Sequence, residues 1–217
     1  VARIKAIEAM KRKGDEAKIV VAASDHLILQ EDKFRETIAK CFDFIEENDA
    51  LVTLGMKPTR PETGYGYIQK GEVIECPNGL SDASLSDIGK EICKVKAFTE
   101  KPNMELAKVF LESGDFLWNS GIFIWTVKNI VKAFEKHLPE HHALFSAIMD
   151  ELGTAGEQKA IEQVFSECKS ISVDYGIMEK ADNVYVRCGD FGWSDVGTWG
   201  SVYQLSRKDR YANTKSH

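Results

Sequence analysis

Ala17-Lys18-Ile19-Val20-Val21-Ala22-Ala23-Ser24-Asp25-His26 decides how this chain is read. Its first seven residues form a short apolar run, the pattern of a strand buried on both faces. Ser24, Asp25 and His26 then make a polar turn. Residues 34–46 follow, with apolar positions at helical spacing, and Ala50-Leu51-Val52-Thr53-Leu54 is a second buried strand. Strand, turn, helix, strand is a βαβ unit, which predicts an α/β fold with a parallel or mixed sheet. Ligands of such sheets bind beyond the carboxyl ends of the strands, and Asp25 stands at one of them.

A second acidic motif lies near the other end, in Gly192-Trp193-Ser194-Asp195-Val196-Gly197-Thr198-Trp199. Two tryptophans and two glycines around one acid are a costly composition for a plain turn. Alone, Asp25 also reads as a helix cap or turn former. As a pair, Asp25 and Asp195 can converge on one divalent ion, since Mg²⁺ takes one or two carboxylates together with substrate phosphates.

The remaining pattern fills out one domain over residues 1–217. Residues 2–13 predict a helix on Ile4, Ile7 and Met10, ending at Gly14. Residues 65–69 alternate like an edge strand, 77–86 read as a polar loop, and 91–99 as a strand. A helix over 104–113 takes Asn103 as its N-cap. Residues 121–125 and 184–186 are strands, 128–167 hold two or three helices, and 175–180 a short one.

A formal charge of −6 lacks the basic excess of a nucleic-acid or anionic-membrane surface. It leaves room for a small phosphorylated ligand held by one or two local cations. The five cysteines show no CxxC spacing and fall mostly in apolar runs, which predicts reduced, buried thiols in a cytoplasmic protein. No apolar run approaches the ~20 residues of a membrane span. Val1-Ala2-Arg3-Ile4-Lys5 is no signal peptide, and the missing initiator Met suggests a chain cut from something longer.

Four further segments carry chemistry. Phe98-Thr99-Glu100-Lys101-Pro102 ends a strand with an opposite-charge pair, either a weak surface salt bridge or a clamp for sugar hydroxyls and a phosphate. Trp118-Asn119-Ser120-Gly121 offers amide and hydroxyl groups and reads as a turn just ahead of an apolar strand. In Pro58-Thr59-Arg60-Pro61-Glu62-Thr63-Gly64-Tyr65-Gly66-Tyr67-Ile68 the glycines permit close backbone approach, and Tyr65 or Tyr67 could stack on a sugar or base. Asp174-Tyr175 opens a helix, where Asp174 is equally an N-cap. The histidines make no zinc pattern, and neither a nucleophile elbow nor a P-loop occurs.

In this order the motifs resemble the sugar-nucleotide pyrophosphorylase superfamily, in its mannose-1-phosphate guanylyltransferase branch. The six matching segments span nearly the whole chain, and Arg60-Pro61-Glu62-Thr63-Gly64-Tyr65-Gly66-Tyr67 is similar to the mannose/GDP side. The resemblance implies a Rossmann-like nucleotide-diphospho-sugar transferase fold, its mixed and mostly parallel sheet flanked by helices and lacking the N-terminal strands. It implies transfer of GMP from GTP to mannose 1-phosphate, giving GDP-mannose and pyrophosphate. Asp25 and Asp195 would bind the catalytic Mg²⁺, and Lys101 would neutralise the sugar phosphate. Gly66, Glu100 and Asn119 would contact sugar hydroxyls, with Gly64, Tyr67 and Ser120 in the same substrate set and Asp174 and Tyr175 lining the pocket.

The family's Gly-rich triphosphate loop, GGxGxRxxPxS…PK, has no counterpart here, nor has its C-terminal β-helix or cupin-like extension. The expectation is an incomplete form with little activity alone, homo-oligomerisation of the full-length protein being left open. Two alternatives stand beside it: a regulatory, sugar-phosphate-sensing homologue, and a glucose-1-phosphate nucleotidyltransferase. Retention of both aspartates argues against the sensor.

Overall fold

Leu51–Met56 (β3) is buried at every one of its six positions, because it lies inside a six-stranded sheet with helices on both faces. The computed structural model describes residues 14–74 and 92–197, together with Tyr203, Ser206, Lys208 and Thr214. The expected helix over 2–13, the loop over 77–86 and the pair Thr198-Trp199 lie outside the described residues.

Strand alternation sorts β3 between two cores. Val52, Leu54 and Met56 face the amphipathic helix Glu31–Glu47 (α1), through Cys41, Phe44 and Ile45, and the helix Met104–Ser113 (α2), through Ala107 and Phe110. Leu51 faces the other way, onto Ala133 of Val127–His137 (α3) and onto Ile177 and Met178. Each fully buried aliphatic side chain contributes about 1.5–3 kcal/mol. Asn103 caps α2 as expected, its Oδ1 accepting from Leu106 N at 2.9 Å. Pro139 opens Pro139–Ser146 (α4) directly after α3, and Glu157–Glu167 (α5) follows.

The other strands are Lys18–Val21 (β1), Leu27–Ile28 (β2), Tyr67–Ile74 (β4), Ile92–Thr99 (β5), Phe116–Thr126 (β6), Val184–Gly189 (β7) and Trp193–Ser194 (β8). The main sheet runs β1-β6-β3-β7-β5-β4, with a further β4–β6 pairing, and β2 and β8 form a separate ribbon. The sheet is mixed, as expected, but not mostly parallel: among the described residues only β3–β7 pairs parallel. The βαβ unit is present, with β6 inserted antiparallel between its strands β1 and β3. Among the described residues β1 is thereby at the margin, and its pattern is half-buried with Val21 exposed, not buried on both faces.

Two other expectations fail for one reason. β6 begins at Phe116, so Trp118-Asn119-Ser120-Gly121 lies within a strand and is not a turn ahead of one. The early start of β6 also covers the open side of β4, whose Tyr67 and Ile68 are fully buried where an edge strand was expected. Gly121, at φ 68°, is where β6 departs from regular extension.

β6 positions the site. β1 and β3 both pair with its Phe123 and Ile124, so they flank opposite edges. β3 and β4 both pair with Trp118, so they too are on opposite edges. Hence β1 and β4 follow one another along the same edge, and residues 119–122 of β6 lie between them. A break of this kind in the order of an α/β sheet is a ligand crevice.

Candidate active site

Three segments surround that break in β6: the turn after β1, the loop before β4, and the short β2–β8 ribbon. The ribbon is antiparallel, with Leu27 opposite Ser194 and Ile28 opposite Trp193. Asp25 enters it and Asp195 leaves it at the same end, so backbone positions from opposite ends of the sequence stand at one rim. Trp193 ties the two sides together, its Nε1 donating to His26 Nδ1 at 3.2 Å across 167 positions.

Asp195 is half-buried and held. Its Oδ1 accepts from the Tyr65 hydroxyl at 2.9 Å and from Gly197 N at 3.3 Å. Tyr65 packs edge-on against Trp118 and Trp193, with centroids 5.2 and 5.5 Å away, and Arg60 lies 5.2 Å over the Trp118 ring. Burial, then the hydrogen bond to Asp195, push the Tyr65 hydroxyl up to about 12, so it remains a donor throughout the working range. Asp25 is exposed. Hard carboxylate oxygens in a set of two suit Mg²⁺, whose remaining positions substrate phosphates and water fill, so the donor set fits the expected ion.

The second cluster gathers beyond Gly66. Asn119 N donates to Gly66 O at 2.8 Å, which seats the loop on β6. A Cβ on Gly66 would collide with Glu100 Oε2 and meet Asn119 Cβ at 3.3 Å, so only glycine lets Glu100 and Asn119 approach. Asn119 Oδ1 accepts from Thr53 Oγ1 at 3.1 Å and Gly121 N at 3.2 Å, and its Nδ2 donates to Asp174 Oδ1 at 2.8 Å. Asp174 opens a π-helical turn, Asp174–Met178, a wide geometry often found at functional sites.

Burial, then repulsion from Asp174, raise the Glu100 carboxyl above its ordinary value, against the opposing pull of Lys101. Burial likewise raises Glu179, against a hydrogen bond from the Glu100 backbone. Lys101 Nζ lies 3.3 Å from Glu100 Oε1 with its side chain 62% exposed, a cation able to turn toward an incoming anion. Its backbone sits at φ 48°, unusual for a residue with a side chain, two positions past the end of β5.

The structure thus brings together Gly66, Glu100, Lys101, Asn119 and Asp174, and separately places Asp25 and Asp195 at one end of the β2–β8 ribbon. Tyr175 is exposed on the same turn as Asp174. Gly64 lies exposed in the loop, its amide donating to Glu62 Oε1 at 3.2 Å. Two expected substrate contacts are corrected. Tyr67 is fully buried against Phe110, and its hydroxyl accepts from Glu62 N at 2.9 Å, so it anchors the loop from below. Ser120 is buried and donates to Leu54 O at 2.7 Å, closing the backbone irregularity between β3 and β6. Of the two tyrosines left open, Tyr65 is the one at the rim. Glu179 and Thr53 escaped the sequence reading, since one acid on a helix and one Thr in an apolar strand carry no signal of their own.

The family model described as Nucleotidyl transferase matches residues 2–211. A mannose-1-phosphate guanylyltransferase of Sinorhizobium fredii is 34% identical over 203 residues, covering 93% of this chain and 37% of that protein. One from Salmonella montevideo is 36% identical over 209 residues, 96% of this chain and 42% of that protein. The chain therefore spans about two fifths of the length of these relatives. The crystal structure of mannose-1-phosphate geranyltransferase from Thermus thermophilus superposes with a TM-score of 0.73 at 32% identity, over 91% of this chain and 51% of that one.

Proposed function

The chain belongs to the nucleotidyl transferase family, and from that premise we propose that its chemistry is the transfer of GMP from GTP to mannose 1-phosphate, giving GDP-mannose and pyrophosphate. The observation that carries this reading is the crevice along β6, with a two-carboxylate rim on one side and a polar, glycine-cleared cluster on the other.

In the reaction an oxygen of the sugar phosphate attacks the α-phosphorus of GTP. The new P–O bond forms as the bond to the bridging oxygen of the β-phosphate breaks, and pyrophosphate carries that electron pair away. Such a displacement needs positioning and charge neutralisation more than a covalent nucleophile. Asp25 and Asp195 would hold Mg²⁺, which when bound supplies positive charge to the phosphates. Glu100 and Asn119 accept and donate hydrogen bonds to the sugar hydroxyls, with Asp174 fixing the Asn119 amide. Lys101 swings from Glu100 to the sugar phosphate and balances its charge. We place the enzyme in the cytoplasm, in keeping with the buried thiols of Cys41 and Cys93; among the described residues no helix is long and apolar enough to cross a membrane.

Calorimetry with GDP-mannose, with and without Mg²⁺, tests the reading. GDP-mannose is expected to bind in a Mg²⁺-dependent way, and the dependence is expected to vanish in Asp195→Asn. Metal-independent binding of the sugar phosphate alone would mark a sensor, and equal binding of glucose 1-phosphate would displace mannose as the substrate.

A further inference from the structure

Asp195 is not left to find its own orientation. The Tyr65 hydroxyl reaches it across 130 positions of sequence, at 2.9 Å. Three features make Tyr65 a fixed strut and not a passing neighbour. Its ring is wedged edge-on between Trp118 and Trp193. The loop that carries it is pinned on both sides, by the Asn119 N to Gly66 O bond and by Glu62 N to the buried Tyr67 hydroxyl. Arg60, from the start of the same loop, lies over the Trp118 ring and pairs with Glu62 at 3.1 Å.

We propose that Tyr65 is a positioning residue, which sets the Asp195 carboxylate in the orientation that receives the divalent cation and couples this to occupancy of the sugar cluster through its neighbour Gly66. The inference rests on the assignment of Asp195 as a metal ligand. Strand alternation supplies the coupling: Trp118 and Asn119 are consecutive on β6 and project to opposite faces. Tyr65 and Gly66 repeat the arrangement on the loop, Tyr65 touching Trp118 and Gly66 abutting Asn119 and Glu100. A ligand that shifts the Gly66 backbone therefore moves Tyr65, and with it Asp195. Partners that orient a metal's ligands commonly govern affinity by about tenfold to a hundredfold.

The test is Mn²⁺ binding to the 217-residue chain with and without GDP-mannose, followed by the electron paramagnetic resonance signal of free Mn²⁺, for wild type, Tyr65→Phe and Asp195→Asn. Phe keeps the ring packing and deletes only the hydroxyl. Tyr65→Phe is expected to weaken Mn²⁺ by about tenfold or more, and to reduce the gain in Mn²⁺ affinity that GDP-mannose confers. An unchanged Mn²⁺ constant in Tyr65→Phe, with binding lost in Asp195→Asn, overturns the inference and leaves the metal assignment standing. Binding unchanged in both variants, or absent from wild type, removes the metal assignment and the inference with it. If Tyr65→Phe lowers only the melting temperature, the tyrosine is structural and the inference fails. Should that variant not fold, Arg60→Ala loosens the same loop without touching Asp195 and is expected to weaken Mn²⁺ in the same direction. No change there overturns the inference equally.

Discussion

Asn119 and Asp174 are joined by a 2.8 Å hydrogen bond that spans 55 positions and links β6 to the π-helical turn. The bond orients the amide: with Nδ2 committed to Asp174, Oδ1 is the atom that takes Thr53 Oγ1 and Gly121 N. Asn119→Ala leaves Asp174 half-buried without this donor. Losing such a bond costs about 1–3 kcal/mol. The expected outcome is a drop in GDP-mannose affinity of about tenfold to a hundredfold, read by calorimetry, with Asn119→Asp at least as damaging because it sets one carboxylate against another.

Glu100 gives a pH signature. Its folded carboxyl titrates above the ordinary 4.5 because it is desolvated and faces Asp174. The folded state therefore holds a proton that the unfolded state has already released, and stability falls as pH rises from about 4.5 through the raised value. Glu100→Gln removes this dependence. Its melting temperature is expected to equal or exceed wild type at neutral pH and to vary less between acid and neutral, while sugar binding is lost. A melting temperature well below wild type at neutral pH would contradict the assigned cause.

Gly66→Ala inserts a methyl where Glu100 Oε2 and Asn119 Cβ already stand. Overpacking of this kind costs about 1–3 kcal/mol. The predicted result is a folded protein with GDP-mannose binding reduced far more than stability, since the strain is relieved by pushing Glu100 out of the cluster. Calorimetry beside thermal unfolding separates the two effects.

Lys101→Met keeps the length of the side chain and removes its charge. With 62% of that side chain exposed, little stability is at stake. Affinity for mannose 1-phosphate is expected to fall by about tenfold, the scale of one charge-assisted hydrogen bond. The loss should shrink as salt screens the anion in the wild type. A salt-independent loss would assign Lys101 a steric role instead.

How much of this was legible in the residues depended on whether a signal was local. β3, α1, α2 and the Asn103 cap follow from periodicity and one capping side chain, and the structure agrees to within a few residues. The order of the strands did not follow, because β6 inserts between β1 and β3 through long-range pairing that no short window contains. The same reason hid the fate of the tyrosines. Tyr65 and Tyr67 are two apart and so share a face in any extended reading, yet the loop ends between them, and one points to the rim while the other fills the core. Glu100 and Asn119 were legible through their neighbours in motifs. Glu179, which no residue-level signal singled out, became visible only by its hydrogen bond with the Glu100 backbone.

The π-helical turn at Asp174–Met178 also bears on how this site could change over evolutionary time. A π turn carries one residue more than the α geometry around it needs. Deleting a single residue from the later part of the turn, past Tyr175, would let the segment relax to a regular helix, a change that backbone hydrogen bonding favours. The same deletion would rotate Asp174 by about 100° about the axis, away from Asn119. Length variation here therefore acts as an all-or-none mutation of the sugar cluster that leaves every one of its side chains in place, so a lineage could lose sugar recognition through an indel that a comparison of site residues would score as intact.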